Sequence, residues 1–275
     1  MQDELKIYRG SDYVVSKHIV IHQPTLGEIC DYGEQKYYSM VHQFCSTPQN
    51  LKWQLWDIGI DYTEITPFEL FCLYIYKSFT KDETSIIFGD LDFTKFKLRH
   101  REDGSLYLYQ EVERNENQSF AEKKRALWRK FMRISGVETP SEDNDVDIII
   151  IDEFTYKVIT DYLCNSHVIE QDLKVPANES TKMILIEDAK EEYEMNKHKK
   201  ISSQLKNLIS AMVNCEGFKM NHTDVWDLKI SAFMDSVKRI SKIKNANLLL
   251  QSGYSGFGIN LKEIDKKQLD WLGEI

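Results

Sequence analysis

The spacing of apolar residues predicts short β-strands in two separate parts of the chain. Residues 5–22 hold two apolar runs, 13–15 and 19–21, which three polar residues, 16–18, separate. From residue 85 to 112 the pattern has a period of two, and residues 101–104 supply a turn. This alternation is typical of a strand with one buried face. We therefore predict a β-hairpin in each stretch.

Helix start signals occur in the first part of the chain. Thr25 followed by Glu28 has the capping-box pattern, in which each side chain satisfies a backbone N–H at the helix start, and it precedes a helix predicted over 26–44. A shorter helix is predicted over 49–60. Thr66, Pro67 and Glu69 introduce a helix over 68–79. That helix is apolar nearly all round, so we expect it to be central.

The second half of the chain has a helical period. We predict helices over 152–164, 180–197, 201–214 and 224–250. Thr223 is the expected N-cap of the last one, with Asp224 and Asp227 in the first turn, where they favour the helix dipole. A narrow apolar seam follows at Trp226, Ile230, Phe233, Val237 and Ile240. Such a seam suits packing against another helix, either residues 201–214 or a partner protein.

These elements predict an α+β fold, in which a mixed N-terminal part of helices and β-hairpins precedes a mainly helical C-terminal part. A composition shift near residue 135 gives the best boundary between them. Glycines interrupt regular secondary structure near the end of the sequence, and a short helix is predicted over 262–272. The predicted divisions are a mixed domain at 1–134, an acidic linker at 135–146, a helical domain at 147–252 and a tail at 253–275.

Composition narrows the class of protein. The chain is 42% hydrophobic with a formal net charge of −9, which provides for a core but repels phosphate backbones, so we do not expect nucleic acid as a general partner. The five cysteines have no CxxC spacing, which indicates thiols in a reducing compartment. The acidic start is not expected to act as a signal peptide, and no apolar run is long enough for a membrane span.

A basic stretch is the exception to the acidic balance. Residues 120–134 hold six cations with Trp128 and Phe131 between them. One interpretation is a patch for DNA or an acidic partner. The other, which we favour, is an amphipathic helix with its apolar residues packed inward and its cations in water.

Catalytic patterns are weak. Asp147, four isoleucines, Asp152 and Glu153 resemble a Walker B strand, which would hold Mg²⁺ and orient water. The chain has no Gly-Lys pair for a phosphate loop, so a buried strand or helix start is favoured. His18 and His22 flank an apolar run, and on a strand they lie too far apart to share a metal. We therefore expect no enzyme activity, no cofactor and no metal.

Four pieces of sequence resemble proteins from the structural gene block of tailed bacteriophages of Gram-positive hosts. They are 21–29 with 33–38; 55–61; 68–71; and the ending with 225–228, 254–256 and 270–272. The resemblance is to tail-assembly proteins, which coat or chaperone the tape measure or join the tail. It implies phage structural proteins as partners, a homo-oligomer as a possible state, and the host cytoplasm during assembly, or the virion, as the location.

The leading hypothesis is thus a non-enzymatic protein of phage tail morphogenesis that acts by protein–protein contacts. A structural component of the virion is the alternative, and a nucleotide-dependent enzyme using Asp152 and Glu153 is a second one. The predicted contact residues are Trp226, Ile230, Phe233, Trp271 and Leu272. Of these, Trp271 and Leu272 have the least assured place in the chain's own core.

Overall fold

A computed structural model describes residues 4–112, 148–199, 202–255, 260 and 263–273 of the chain. The fold is α+β, as predicted: the described strands end at residue 151, and the described residues beyond are helix or loop. The helices are α1 (Glu4–Tyr8), α2 (Leu26–Tyr32), α3 (Glu34–Cys45), α4 (Lys52–Asp57), α5 (Pro67–Leu70), α6 (Lys81–Phe88), α7 (Glu153–His167), α8 (Glu179–Asn196), α9 (Gln204–Val213), α10 (Ile230–Tyr254) and α11 (Lys266–Leu269). The strands are β1 (Tyr13–Val14), β2 (Val20–Ile21), β3 (Lys97–His100), β4 (Leu106–Glu111) and β5 (Ile148–Ile151).

Both predicted hairpins form. β1 and β2 pair antiparallel, and β3 pairs antiparallel with β4 so that Leu98 lies opposite Leu108. β5 adds to the other side of β4, which confirms the strand interpretation of 148–151. The second hairpin begins later than predicted, because residues 85–88 belong to α6. That helix has its own capping box, Thr80 with Glu83, which the alternating pattern concealed.

Helix starts were predicted better than helix lengths. The capping box of Thr25 and Glu28 is present, but the helix predicted over 26–44 is two helices, α2 and α3. Gly33 lies between them with φ of 104°, a conformation that side-chain-bearing residues avoid. Its N–H bonds to the carbonyl of Ile29, which ends α2.

The helix predicted over 68–79 is also subdivided. Its capping box, Thr66 with Glu69, is present, and α5 continues as a π-helical turn, Phe71–Ile75, and a 3-10 turn, Tyr76–Ser78. Phe71 is buried, but Leu73 and Tyr74 are exposed, so the segment is central on one side only. Residues 49–60 divide similarly into a 3-10 turn, Pro48–Leu51, and α4.

The start predicted for the C-terminal helix is wrong. Residues Asp224–Asp227 form a 3-10 turn, the Thr223 side chain makes no capping hydrogen bond, and α10 begins at Ile230. The cause is distant in sequence. Leu26 N–H donates to the carbonyl of Leu228 (3.0 Å), and Ile230 N–H donates to that of Pro24 (2.9 Å). This short antiparallel bridge keeps Leu228 and Lys229 extended and divides the helix.

The core is a cluster of phenylalanine rings. Phe44 on α3 stacks on Phe79 with ring centroids 4.4 Å apart. Phe71, Phe88 and Phe93 lie around Phe44, with centroids 5.0–5.4 Å from it. Pairs at these distances add to the hydrophobic gain of burial. Tyr156 of α7 donates a hydrogen bond to the carbonyl of Phe44 (3.0 Å), so α7 is fixed to the same cluster.

The chain divides into two compact units, Met1–Thr94 with Glu153–Ile275, and Lys95–Asp152. The first unit thus joins residues from both sides of the predicted domain boundary. The predicted basic helix at 120–134 and the acidic linker at 135–146 lie outside the described residues. The predicted domain division therefore stays a prediction.

We expect Phe44→Ala to lower the free energy of unfolding by about 3–5 kcal/mol, because it leaves a cavity inside the ring cluster. Phe44→Leu should cost less and keeps the measurement possible if the alanine variant does not fold. Urea unfolding provides the measurement. Phe154→Ala is the control, since Phe154 is 76% exposed. Equal losses in Phe44→Ala and the control would contradict the assignment of this core.

Candidate contact site in the C-terminal region

An apolar groove opens between α2 and α9 in the first unit. Its volume is about 540 Å³. Leu205, Ile209 and Val213, spaced four residues apart on α9, form one side. The other walls come from Cys30 and Glu34, at the end of α2 and the start of α3, and from His222 and Trp226. Residues from both ends of the sequence thus form one concave surface.

Helix α9 is held in place at its N-terminus. Ser203 caps the helix by accepting a hydrogen bond from Lys206 N–H (2.9 Å). The Glu34 carboxylate accepts another from Leu205 N–H (2.8 Å), which places a negative charge at the positive end of the helix dipole. Leu205 and Ile209 are buried, whereas Ser210 is exposed along the groove.

Trp226 owes its position to a close backbone approach. A Cβ on Gly27 would lie 3.2 Å from the Trp226 carbonyl oxygen, so a side chain there would push the 3-10 turn away from α2. The bridge between Thr25 and Lys229 holds the same two segments together. His222 meets the Trp226 indole edge-on, with centroids 6.2 Å apart. The indole is half-buried and forms one wall of the groove.

A second feature is the tip, residues 270–273, which follows α11. Arg239 of α10 donates hydrogen bonds from Nη1 to the carbonyls of Trp271 (2.7 Å) and Gly273 (2.8 Å). The Asp270 carboxylate accepts from the N–H groups of Leu272 (3.2 Å) and Gly273 (3.1 Å). This fixed backbone presents Trp271 at 47% and Leu272 at 75% exposure.

The predicted contact residues fall into three places. Trp226 lines the groove, and Trp271 with Leu272 form the tip. Ile230 and Phe233 are buried, and Phe233 meets Phe218 edge-on, so in this conformation they contribute to the chain's own core. Helix α10 packs most extensively against α7 and α11, rather than against 201–214 as expected. That any of these residues contacts a partner stays a prediction.

The groove and the tip both involve a region that other proteins share. Residues 196–275 match the family model of the YomV second domain. This is a phage-associated domain family, which supports a bacteriophage-related protein. Helix α9, Trp226 and the tip lie within the matched region, whereas Cys30 and Glu34 come from outside it. No curated protein and no solved structure matches the chain.

A second cavity, of about 550 Å³, is lined by Tyr38, His42, Met234 and the buried His167 among others. Tyr37 Oη lies 2.6 Å from His167 Nε2, and His167 Nδ1 lies 2.7 Å from the Leu163 carbonyl. Donation from Nδ1 to that carbonyl leaves Nε2 to accept from the tyrosine, so the imidazole is neutral. Burial lowers the pKa of His167 to about 4, raises that of Tyr38 to about 12 and raises that of Tyr37 well above its usual range.

Sequence reasoning missed this pair. Tyr37 and His167 are 130 residues apart, and each sits in an ordinary helical pattern. Val168 follows in the left-handed conformation with φ of 58°, where a helix more often has glycine. Its β-branched side chain gives no sequence signal for such a helix end.

The other candidates have structural partners. Asp152 follows β5, an antiparallel strand, and accepts a hydrogen bond from Arg101 (3.1 Å). His22 Nδ1 lies 2.9 Å from the Asp12 carboxylate. Among the described residues, no three His, Cys, Asp or Glu side chains cluster in a way that could hold a metal ion. Nor does any described helix combine the length and apolarity needed to cross a bilayer.

We expect the buried imidazole to make stability depend on pH. In the unfolded chain it takes up a proton near pH 6.5, and in the folded chain only near pH 4. The unfolded state therefore binds more protons between these values. The neutral imidazole of His167 therefore contributes about 3 kcal/mol to the free energy of unfolding. This contribution is fully present above pH 6.5 and is lost as the pH falls through 4. Urea unfolding at pH 7.5, 6.0 and 4.8 measures the slope.

His167→Gln should flatten that slope relative to wild type, whatever its effect on stability at pH 7.5. The matched control is His100→Gln, because His100 is exposed. A slope unchanged by His167→Gln would show that this imidazole is not the titrating group.

We expect Arg239→Ala to free the tip without unfolding the rest of the chain. The substitution removes the two hydrogen bonds that Arg239 donates to the backbone carbonyls of Trp271 and Gly273. Hydrogen exchange followed by mass spectrometry should show faster exchange in 266–273. Lys238→Ala, one residue away, is the control and should leave this exchange unchanged. Uniform acceleration over α10 as well would indicate general unfolding instead.

Proposed function

We propose that the chain is a non-enzymatic protein of bacteriophage tail morphogenesis that acts through protein–protein contacts. The observation that carries the proposal is the apolar groove beside Trp226, whose α9 side lies in the region, 196–275, that resembles a phage-associated domain family. Phage structural proteins, such as the tape measure or the tail tube, are the partners we infer. The place of action is then the host cytoplasm during assembly, or the virion.

The chemistry of the groove suits a protein partner. Three apolar side chains of α9 line it together with an indole, and polar residues complete its walls, namely Glu34, Ser203, Lys206, Ser210, Asn214 and His222. Tryptophan is among the residues that contribute most to binding at protein interfaces. A groove of this size accommodates large apolar side chains and removes them from water, which stabilises association by about 25 cal/mol per Å² of apolar surface.

The hydrogen bonds of three ionisable groups support a role without catalysis. His167 and Tyr37 satisfy each other, and the second ring nitrogen of His167 is bound to a backbone carbonyl. Asp152, the first acid of the Walker-B-like sequence, is bound to Arg101. These bonds give each group a structural use.

Binding to phage proteins tests the proposal. Ser210→Arg should weaken binding to the phage's own tape-measure or tail-tube protein at least tenfold, because the new side chain fills the groove. Ser210 is exposed, so the fold should tolerate the change. Asn207→Arg places the same residue on the same helix at an exposed position outside the groove and is the matched control. Purified partners and isothermal titration calorimetry give the affinities.

Equal affinity of the two variants would remove the groove from the proposal. Mass spectrometry of purified particles then separates the alternatives. A chaperone is absent from particles, whereas a virion component is present in fixed copy number. A chain that is absent from particles and binds no tail protein contradicts both.

A further inference from the structure

We propose that the groove takes up the tip of a second copy of this chain, with Trp271 and Leu272 inserted beside Trp226. The proposal rests on the proposed function in one respect, namely that the groove is a protein-contact site. It names the occupant, which the proposed function does not. The chain would then associate head to tail.

The chain carries both halves of an apolar contact. The tip presents an indole and a leucine side chain in adjacent positions, with Trp271 about half exposed and Leu272 largely exposed. The groove offers about 540 Å³ lined by aliphatic side chains, a second indole and polar residues that include Glu34 and Lys206. Apolar surface that is exposed and contiguous is a feature of interaction sites, and these two side chains are neighbours.

The occupant comes from another copy, because the tip of the same chain is held elsewhere. Arg239 binds the carbonyls of Trp271 and Gly273 and keeps the tip beside α10. No residue of the tip lines the groove within one chain. The backbone is thus fixed in advance while the side chains stay exposed, which lowers the entropy lost on docking.

Charge complementarity favours the same pairing. The segments around the groove, 27–34 and 203–227, hold six acidic and two basic residues. The segments that carry the tip, 235–254 and 263–273, hold six basic and four acidic residues. Lys266 and Lys267 on α11 are exposed next to the tip, and Asp31 and Asp224 are exposed next to the groove. Opposite net charges attract in the docked pair and steer the encounter.

The contact joins two different surfaces, so a docked pair keeps a free groove on one copy and a free tip on the other. Such heterologous contacts produce closed rings or open filaments, depending on the rotation between copies. A contact made mainly by two side chains buries less surface than a standard-size stable interface, which buries roughly 1,600 Å². We therefore expect weak association of a single pair, with a dissociation constant on the order of 10–100 μM, and cooperative assembly where the copies close into a ring.

A cysteine pair tests the contact directly. Cys30 is exposed and lines the groove, so Leu272→Cys should form a disulfide with Cys30 of the next copy when diamide oxidises the two thiols. Cys215→Ser removes the other accessible thiol from the background. The expected product is a ladder of dimers and larger species on a non-reducing gel, and Cys30→Ser should abolish it.

Leu248→Cys in the same background is the matched control, since Leu248 is exposed at 65% on α10. Its thiol should give no ladder at the same chain concentration. Equal ladders from both variants, or an internal disulfide that leaves the chain monomeric, would overturn the proposal.

Sedimentation velocity of the purified chain supplies the second readout. Wild type should show concentration-dependent growth between about 10 and 300 μM, in line with the weak interface. Leu272→Asp and Ser210→Arg should each abolish this growth, and Leu248→Asp should not. Growth unaffected by Leu272→Asp, or a wild type that stays monomeric, contradicts the second copy as occupant. Phage partners are absent from this experiment, so its failure leaves the proposed function standing.

Discussion

The C-terminal region depends on one short antiparallel bridge between residues 24–26 and 228–230. Two backbone hydrogen bonds, of 3.0 and 2.9 Å, connect two segments that lie about two hundred residues apart in sequence. Each satisfies groups that a helix start would otherwise leave exposed. The bridge fixes Trp226 against α2, sets the start of α10 at Ile230, and so determines where the groove opens.

Local chemistry explains why some elements were predictable. The capping boxes at Thr25 and Thr66 involve residues three positions apart, so the sequence contains the whole interaction. The hairpin of β3 and β4 follows from alternation and a turn in the same way. Thr223 failed as an N-cap because a bond from Leu26, far away in sequence, competes with the helix at Leu228.

The candidate site was predictable in part. The sequence pointed to Trp226, Trp271 and Leu272, and the structure places all three at least partly exposed to solvent. It could not reveal the groove, because Cys30 and Glu34 come from helices predicted for a separate domain. Nor could a helical seam show that Ile230 and Phe233 are already covered, since the period of a buried face and of a partner-binding face is the same.

Arg239 holds the tip through backbone atoms, so the side chains of the tip can change without loss of this anchor. Its guanidinium contacts the carbonyl oxygens of residues 271 and 273, groups that every amino acid provides. Substitutions at Trp271 and Leu272 therefore leave the anchoring bonds in place. In the proposed docking, a change at either side chain would alter the choice of binding partner while the scaffold that presents them stays the same. Recognition and folding are thus free to evolve at different rates in this part of the molecule.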